Sequence, residues 1–214
     1  MEKSVDELRR HFESTPWCAD LLRSSETVTF IPASHSPPDN SGGSNSKDRL
    51  FKHTLNTQDA IPACLGFYQR PTETEASAGE QKPRLLLSSA SLLFDLQPGV
   101  SGFQGTVHGG LFGALMDEAM GSFIYVTYRL QAQERARGKL PENVIDLDKI
   151  NYVTAGINLK LKRPVPVPHV VVVKATLTEL SGRKLVLRTT IEGEGGVQYA
   201  VCDGTWISIP AERL

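Results

Sequence analysis

The sequence predicts an α+β fold in which an antiparallel sheet wraps a long central helix, with a short helical N-terminal extension ahead of it. Three observations carry this expectation. After Thr106-Val107-His108-Gly109-Gly110 comes a nearly unbroken apolar run, Leu111 to Val126, whose only charged residues are Asp117 and Glu118. Apolar residues on every side suit a helix enclosed by other structure. Beyond Tyr152, strand-like segments alternate with short glycine turns, and two further strand-like segments precede the helix. Two strands, a buried helix and then four strands form one layer of sheet curled around one helix.

Taken in order, Ser4 to Ser14 and Trp17 to Arg23 read as short helices, because Val5, Leu8 and Phe12 recur at helical spacing and Pro16 separates the two segments. Ser34 to Lys47 has almost no apolar content and reads as a flexible linker. Residues 1–50 are therefore expected to form an extension with its linker, and residues 51–214 a single domain. Ala60 to Gln69 and Arg84 to Leu96 are strand-like, with an exposed loop from Arg70 to Lys82 between them. Arg129 to Lys149 is polar enough to be a helix extension followed by a surface loop. Tyr152 to Arg163, Val170 to Leu180, Lys184 to Glu192 and Val197 to Ser208 read as strands. Ser181-Gly182 and Gly193-Glu194-Gly195-Gly196 supply hairpin turns, which makes neighbouring strands antiparallel.

Composition excludes several classes. At 214 residues and 40% hydrophobic content the chain supports one good core but is short for two. A net charge of −1 gives no field for nucleic acid. Cys18, Cys64 and Cys202 are scattered and odd in number, so buried free thiols in a reducing compartment are expected. The acidic N-terminus Met1-Glu2-Lys3-Ser4-Val5-Asp6-Glu7 is unlike a typical transit peptide, and Glu212-Arg213-Leu214 is no plain peroxisomal address. The cytoplasm is the default expectation, with a mitochondrial location left open. Asp117, Glu118 and Arg129 interrupt the apolar run, so no membrane span is expected. His11, His35, His53 and His169 show no ligand spacing, which argues against a metal site and assigns them to surface or loop positions.

The chemistry concentrates where the helix begins. Glycines at a helix N-terminus let unpaired backbone N–H groups approach a ligand closely at the positive end of the dipole, which suits a developing oxyanion. Asp117 is expected in low dielectric, either hydrogen-bonded and ionised or held near neutral, and both states serve acid–base chemistry. Alternatively it caps another element. Gly109 and Asp117 are separated by about 12 Å along one helix, at about 1.5 Å per residue. If both act on one carbonyl, Asp117 comes from a second copy across a two-fold axis, and a homodimer follows.

The motif Val107-His108-Gly109-Gly110, with Asp117 nine positions after His108 and Gly121 four further on, resembles the hotdog-fold acyl-CoA thioesterases. The similarity is to the phenylacetyl-CoA thioesterase-like group, and Val153-Thr154-Ala155-Gly156-Ile157-Asn158-Leu159-Lys160-Leu161-Lys162-Arg163-Pro164 resembles the strand after the helix in human mitochondrial-type members. It covers about Ala60 to Ile209. The resemblance implies a homodimer, with a dimer of dimers as the alternative, and hydrolysis of an acyl-CoA or acyl-carrier-protein thioester with no cofactor beyond the coenzyme A of the substrate. In these roles the Gly109 N–H polarises the carbonyl, Asp117 acts as general base or nucleophile, Thr154 positions water and His108 orients the site. Gly110, Leu111, Phe112 and Met116 are the expected substrate-binding residues, with Lys162 and Arg163 candidates for the coenzyme A phosphates. Some relatives carry Asn where this chain has Gly102, so Gln104 is a candidate for that polar contact. Hydration or dehydration of an acyl thioester, and non-catalytic binding of one, are the competing readings.

Overall fold

The computed structural model describes residues 3–35, 48–71 and 83–210. Most of the expected linker (36–47) and of the loop expected over Arg70 to Lys82 lies outside them, as do both chain ends. A seven-stranded sheet has the order β1-β2-β3-β5-β6-β7-β4 with every neighbouring pair antiparallel. Its strands are β1 (Thr27–Phe30), β2 (Ala63–Gln69), β3 (Ser89–Leu96), β4 (Ile150–Leu161), β5 (His169–Ser181), β6 (Lys184–Glu192) and β7 (Gln198–Pro210). Helices α1 (Val5–Glu13) and α2 (Pro16–Leu22) precede the sheet, and α3 (Gly109–Ala136) runs across it between β3 and β4. This is the hotdog arrangement of a sheet curled around a long helix.

The two faces of the sheet have different partners. Phe112, Leu115, Met116, Ala119, Met120 and Phe123 of α3 pack with Cys64, Leu92, Phe94, Val171, Val173, Leu187 and Cys202 from the concave face. On the opposite face, Leu8, Phe12, Cys18 and Leu22 of α1 and α2 cover Ala63, Leu65, Phe67 and Leu93. Strands buried on both faces have no polar alternation, which explains the continuous apolar character of β2 and β3. Helix α1 starts with a capping box: the Ser4 hydroxyl accepts from Glu7 N–H while the Glu7 carboxylate accepts from Ser4 N–H. The extension is thus a cover for the sheet.

Four features depart from the sequence reading. β1 is an additional edge strand, too short and too mixed to stand out, and it pairs with β2 through Thr27↔Gln69 and Phe30↔Gly66. Ser34, expected in the linker, is buried in a short helical turn, Ala33–His35. The segment after Arg129 is tied down more firmly than a surface loop: buried Gln131 donates to Ile145 O at 2.9 Å and accepts from Leu147 N–H at 3.2 Å. Its polar composition hides two satisfied hydrogen bonds and the buried Val144 and Leu147. Lastly, α3 is not enclosed on every side. Gly110, Gly113, Asp117, Gly121, Ile124 and Tyr128 share one face that the sheet leaves open, and Tyr128 is 41% exposed.

At Gly66, a Cβ would lie 2.4 Å from Phe30 Cζ, so the Phe30 ring of the edge strand rests directly on bare backbone. Gly66→Ala should destabilise the fold by about 1–3 kcal/mol through overpacking, and hydrogen exchange should show the loss concentrated in Thr27–Phe30. Unchanged exchange there would mean β1 is held by something else.

Candidate active site

The loop into α3 is held by backbone contacts. Val107 N–H donates to Val165 O and His108 N–H to Val100 O, each at 2.9 Å. Gly102 packs so tightly under the next turn that a Cβ would lie 2.6 Å from His108 Cα, a close approach only glycine permits. His108 is the N-cap of α3, and its Nδ1 accepts from Gly110 N–H at 3.0 Å. An accepting Nδ1 puts the proton of a neutral ring on Nε2. Leu111 N–H is paired with His108 O at 2.9 Å. Gly109 N–H has no partner among the described residues. The histidine thus takes up one of the two glycine amides and leaves the other free for a ligand, a division the sequence motif does not show.

Gln104 sits on the exposed turn 102–106, with Phe103 beside it 81% exposed, and its side chain makes no hydrogen bond among the described residues.

Asp117 stands two turns into α3 on the open face. It is half-buried in the single chain, not enclosed in apolar surroundings as the sequence suggests, because the apolar residues of the run crowd onto the other side of the helix. Thr154 Oγ1 of β4 donates to Asp117 Oδ1 at 2.8 Å. This bond spans 37 residues of sequence and joins the two side chains that the motif resemblance selects. Leu111 is half-buried, whereas Phe112 and Met116 are fully packed in the core. The cavity next to Asp117 is lined instead by Gly121, Ile124, Tyr125, Tyr128, Tyr152 and Trp206, among others.

The desolvated carboxylate is Glu118. It points away from Asp117 into a polar cluster, where Ser34 Oγ donates to its Oε1 and Ser122 Oγ lies 3.4 Å away. Burial pushes its pKa up to about 7, opposed by the Ser34 hydrogen bond and assisted by Asp48. Beside it, His35 Nδ1 is 3.0 Å from Ser34 Oγ while its Nε2 is buried without a partner, and burial lowers its pKa to about 4. His35 is therefore no surface residue. His11, whose side chain is 37% exposed, bonds Asp95, and His169 bonds Tyr199, each at 2.9 Å, while His53 is exposed. One residue from Asp117 in an apolar run, Glu118 is turned about 100° around the helix; that offset was the available signal. Nothing local marked Ser34 or His35.

At the N-terminal end of α3, a Cβ on Gly109 would lie 3.6 Å from Leu161 Cδ1 of β4. Lys162 and Arg163 follow directly; Lys162 Nζ bonds Gln198 Oε1, while Arg163 has no side-chain partner among the described residues. Arg183 is committed to Ser208 O and Lys184 to Glu179.

The family model described as "Thioesterase superfamily" matches residues 104–200, from the turn before His108 through α3 and into β7. Verlamelin biosynthesis protein B of Lecanicillium sp is 33% identical over 174 residues, 77% of this chain and 74% of that protein. The chain belongs to the thioesterase superfamily. A Bos taurus relative, acyl-coenzyme A thioesterase THEM4, is 29% identical over 122 residues; these make up 56% of this thioesterase-superfamily chain but 41% of the bovine protein. Solved structures are similar as well. The thioesterase superfamily protein RHA08564 has a TM-score of 0.45 at 18% identity, with 68% of this chain and 54% of that one covered. A Streptococcus pneumoniae hypothetical thioesterase with coenzyme A has a TM-score of 0.45 at 14% identity, covering 60% and 83%. Among the described residues, no helix is long and apolar enough to cross a membrane.

The Glu118 cluster has a consequence for stability. Its folded-state pKa of about 7 lies above the ordinary 4.5, so the unfolded chain ionises first and the stability Glu118 contributes is lost as pH rises from 4.5 through 7. His35, lowered from 6.5 to about 4, has the opposite sign: its contribution is lost as pH falls through that interval. The two oppose each other in the native protein. Glu118→Gln should therefore gain about 3 kcal/mol relative to wild type between pH 4 and pH 8, read from denaturant midpoints across that range. Parallel curves would show that Glu118 ionises normally in the fold.

Proposed function

We propose that this protein hydrolyses an acyl-CoA or acyl-carrier thioester to a free acid and a thiol. The observation that carries the reading is the Asp117–Thr154 contact on the open face of α3, in a superfamily of thioesterases. A thioester needs little more than a donor for the developing oxyanion and an activated oxygen nucleophile, because the thiolate leaves readily with a pKa near ~8.5. Gly109 N–H, unpaired at the start of the helix, is placed to hold the carbonyl oxygen. Asp117 takes a proton from water, or attacks the carbonyl itself. Thr154 orients the carboxylate by donating to Oδ1 and keeps its hydroxyl lone pairs for a water. Collapse of the tetrahedral intermediate expels the thiolate, with Lys162 and Arg163 near the phosphates of coenzyme A.

One helix cannot bring Gly109 and Asp117 to the same carbonyl, since about 12 Å separates them along its axis. In this reading two chains pair, and the Gly109 of one faces the Asp117 of the other. Support comes from β4, an edge strand exposed from Thr154 to Asn158, on which Ile157 is 42% and Leu161 54% exposed. A long apolar edge of this kind is normally covered.

Thiol release from short, long and aromatic acyl-CoAs should fall by at least about 100-fold in Asp117→Asn and by about tenfold in Thr154→Ala. Turnover unaffected by Asp117→Asn would remove the carboxylate from the mechanism; tight binding without release from any member of the panel would favour a binder, and consumption of an enoyl substrate a hydratase. By sedimentation the wild type should be a dimer or larger. Ile157→Asp with Leu161→Asp should yield inactive monomers, and a fully active monomer would sink the two-chain site.

A further inference from the structure

Glu118, one residue from Asp117, is turned to the other side of α3, where it meets the short turn Ala33–His35 that follows β1. Ser34 is 3% exposed, and its hydroxyl touches two titratable groups at once: Glu118 Oε1, to which it donates, and His35 Nδ1 at 3.0 Å. A hydroxyl has one proton to give. Since that of Ser34 goes to Glu118, the second contact is filled by His35 Nδ1–H donating to the Ser34 oxygen. The neutral ring then carries only a lone pair at Nε2, the atom that is buried without a partner. The ring of His35 also lies 6.0 Å from that of Phe51, itself 6.3 Å from Phe94 of β3, so the turn is docked on the main core as well as on α3.

Both ends of this chain are set against their own charge. Protonating His35 places an N–H at Nε2, where nothing among the described residues accepts it. Ionising Glu118 leaves a carboxylate with the hydroxyls of Ser34 and Ser122 and no bonded cation. The charged groups that act on it, Asp48 just before the turn Leu50–Thr54 and Asp117 on α3, are both anionic, and the Cys64 thiol of β2 feels its charge. An acid and a base withdrawn from water together respond to pH with opposite sign, because desolvation disfavours the charged form of each. Undocking the turn hydrates both. Ionisation of Glu118 favours undocking as pH rises from 4.5 through about 7, and protonation of His35 favours it as pH falls from 6.5 through about 4. The two intervals nearly coincide, so what one group withdraws the other restores.

We propose that Glu118, Ser34 and His35 form a pH-compensated clasp, which docks the N-terminal extension on α3 with nearly constant strength from about pH 5 to about pH 8, and that removing either titratable group converts it into a pH switch. The clasp is independent of the reaction performed on the Asp117 face.

The experiment measures native-state amide exchange by NMR on the full chain across this range, expressed as protection factors so that the intrinsic pH dependence cancels. The probe is the amide of residue 35, which donates to Pro32 O at 2.9 Å, compared with that of buried Met120 in α3. Residue 35 should be the less protected of the two, which marks an opening of its own. Glu118→Gln keeps an acceptor for Ser34 and His35→Asn keeps a donor to it, and neither replacement titrates. In the wild type, protection at residue 35 should change by no more than about fivefold between pH 5 and pH 8. In His35→Asn it should fall about tenfold or more as pH rises, in Glu118→Gln it should fall about tenfold or more as pH falls, and in the double variant it should be flat again. A steep wild-type profile, a flat profile in either single variant, or exchange at residue 35 only as slow as at Met120 would overturn the proposal. Each single variant must show its own slope, so misfolding of one leaves the other to decide.

Discussion

The seam between α3 and the concave face of the sheet decides everything else in this structure. Phe112, Leu115, Met116, Ala119, Met120 and Phe123 commit one side of the helix to the core. Since a helix turns through about 100° per residue, that commitment dictates where every other residue of α3 points. Asp117 lands on the open side, Glu118 is turned toward the N-terminal segment, and the glycines at 110, 113 and 121 line up with Asp117. The packing is close enough to require absent side chains on the sheet as well: a Cβ on Gly204 would lie 2.2 Å from Met120 Sδ. A site that needs a carboxylate in a fixed place gains that placement from hydrophobic burial on the far side of the same helix.

Two carboxylates adjacent in sequence therefore have unrelated environments. Asp117 meets Thr154 and open space, the setting for a group that must reach a substrate. Glu118 meets Ser34, Ser122 and the neighbourhood of His35, and joins α3 to the segment that follows β1. The N-terminal extension thus contributes twice. Its helices cover the convex face of β2 and β3, and its end reaches around to bond α3 from within. The cost of burying a carboxylate is offset by hydrogen bonds and by a raised pKa, so the group need not carry full charge at neutral pH.

The start of the helix shows a similar economy of donors. Four N–H groups at a helix N-terminus have no intrahelical partner. Here the N–H of His108 itself is taken up by Val100 O, its ring satisfies that of Gly110, its carbonyl takes up that of Leu111, and that of Gly109 remains. The loop that delivers His108 is pinned to Val165, just beyond the end of β4, so β4 runs from the neighbourhood of Gly109 at the start of the helix to the carboxylate at Asp117.

Much of this was legible in the chain itself. The apolar run with its paired glycines announced the long helix and the glycine turns announced the antiparallel hairpins, while Asp117 and Thr154, which stand in contact, were singled out together only by the family resemblance. Local pattern suffices for these because helix and strand periodicity and turn chemistry are properties of short segments. Burial was not legible in the same way. Which of Asp117 and Glu118 is desolvated, why Ser34 belongs to the core and not to a linker, how Gln131 holds the segment before β4, and which aromatic residues close the cavity beyond Asp117 all depend on groups brought together from far along the chain. Sequence sets what each segment can become; only the tertiary contacts decide which polar groups find partners, because a hydrogen bond such as Thr154 to Asp117 is made between elements whose relative placement no local pattern encodes.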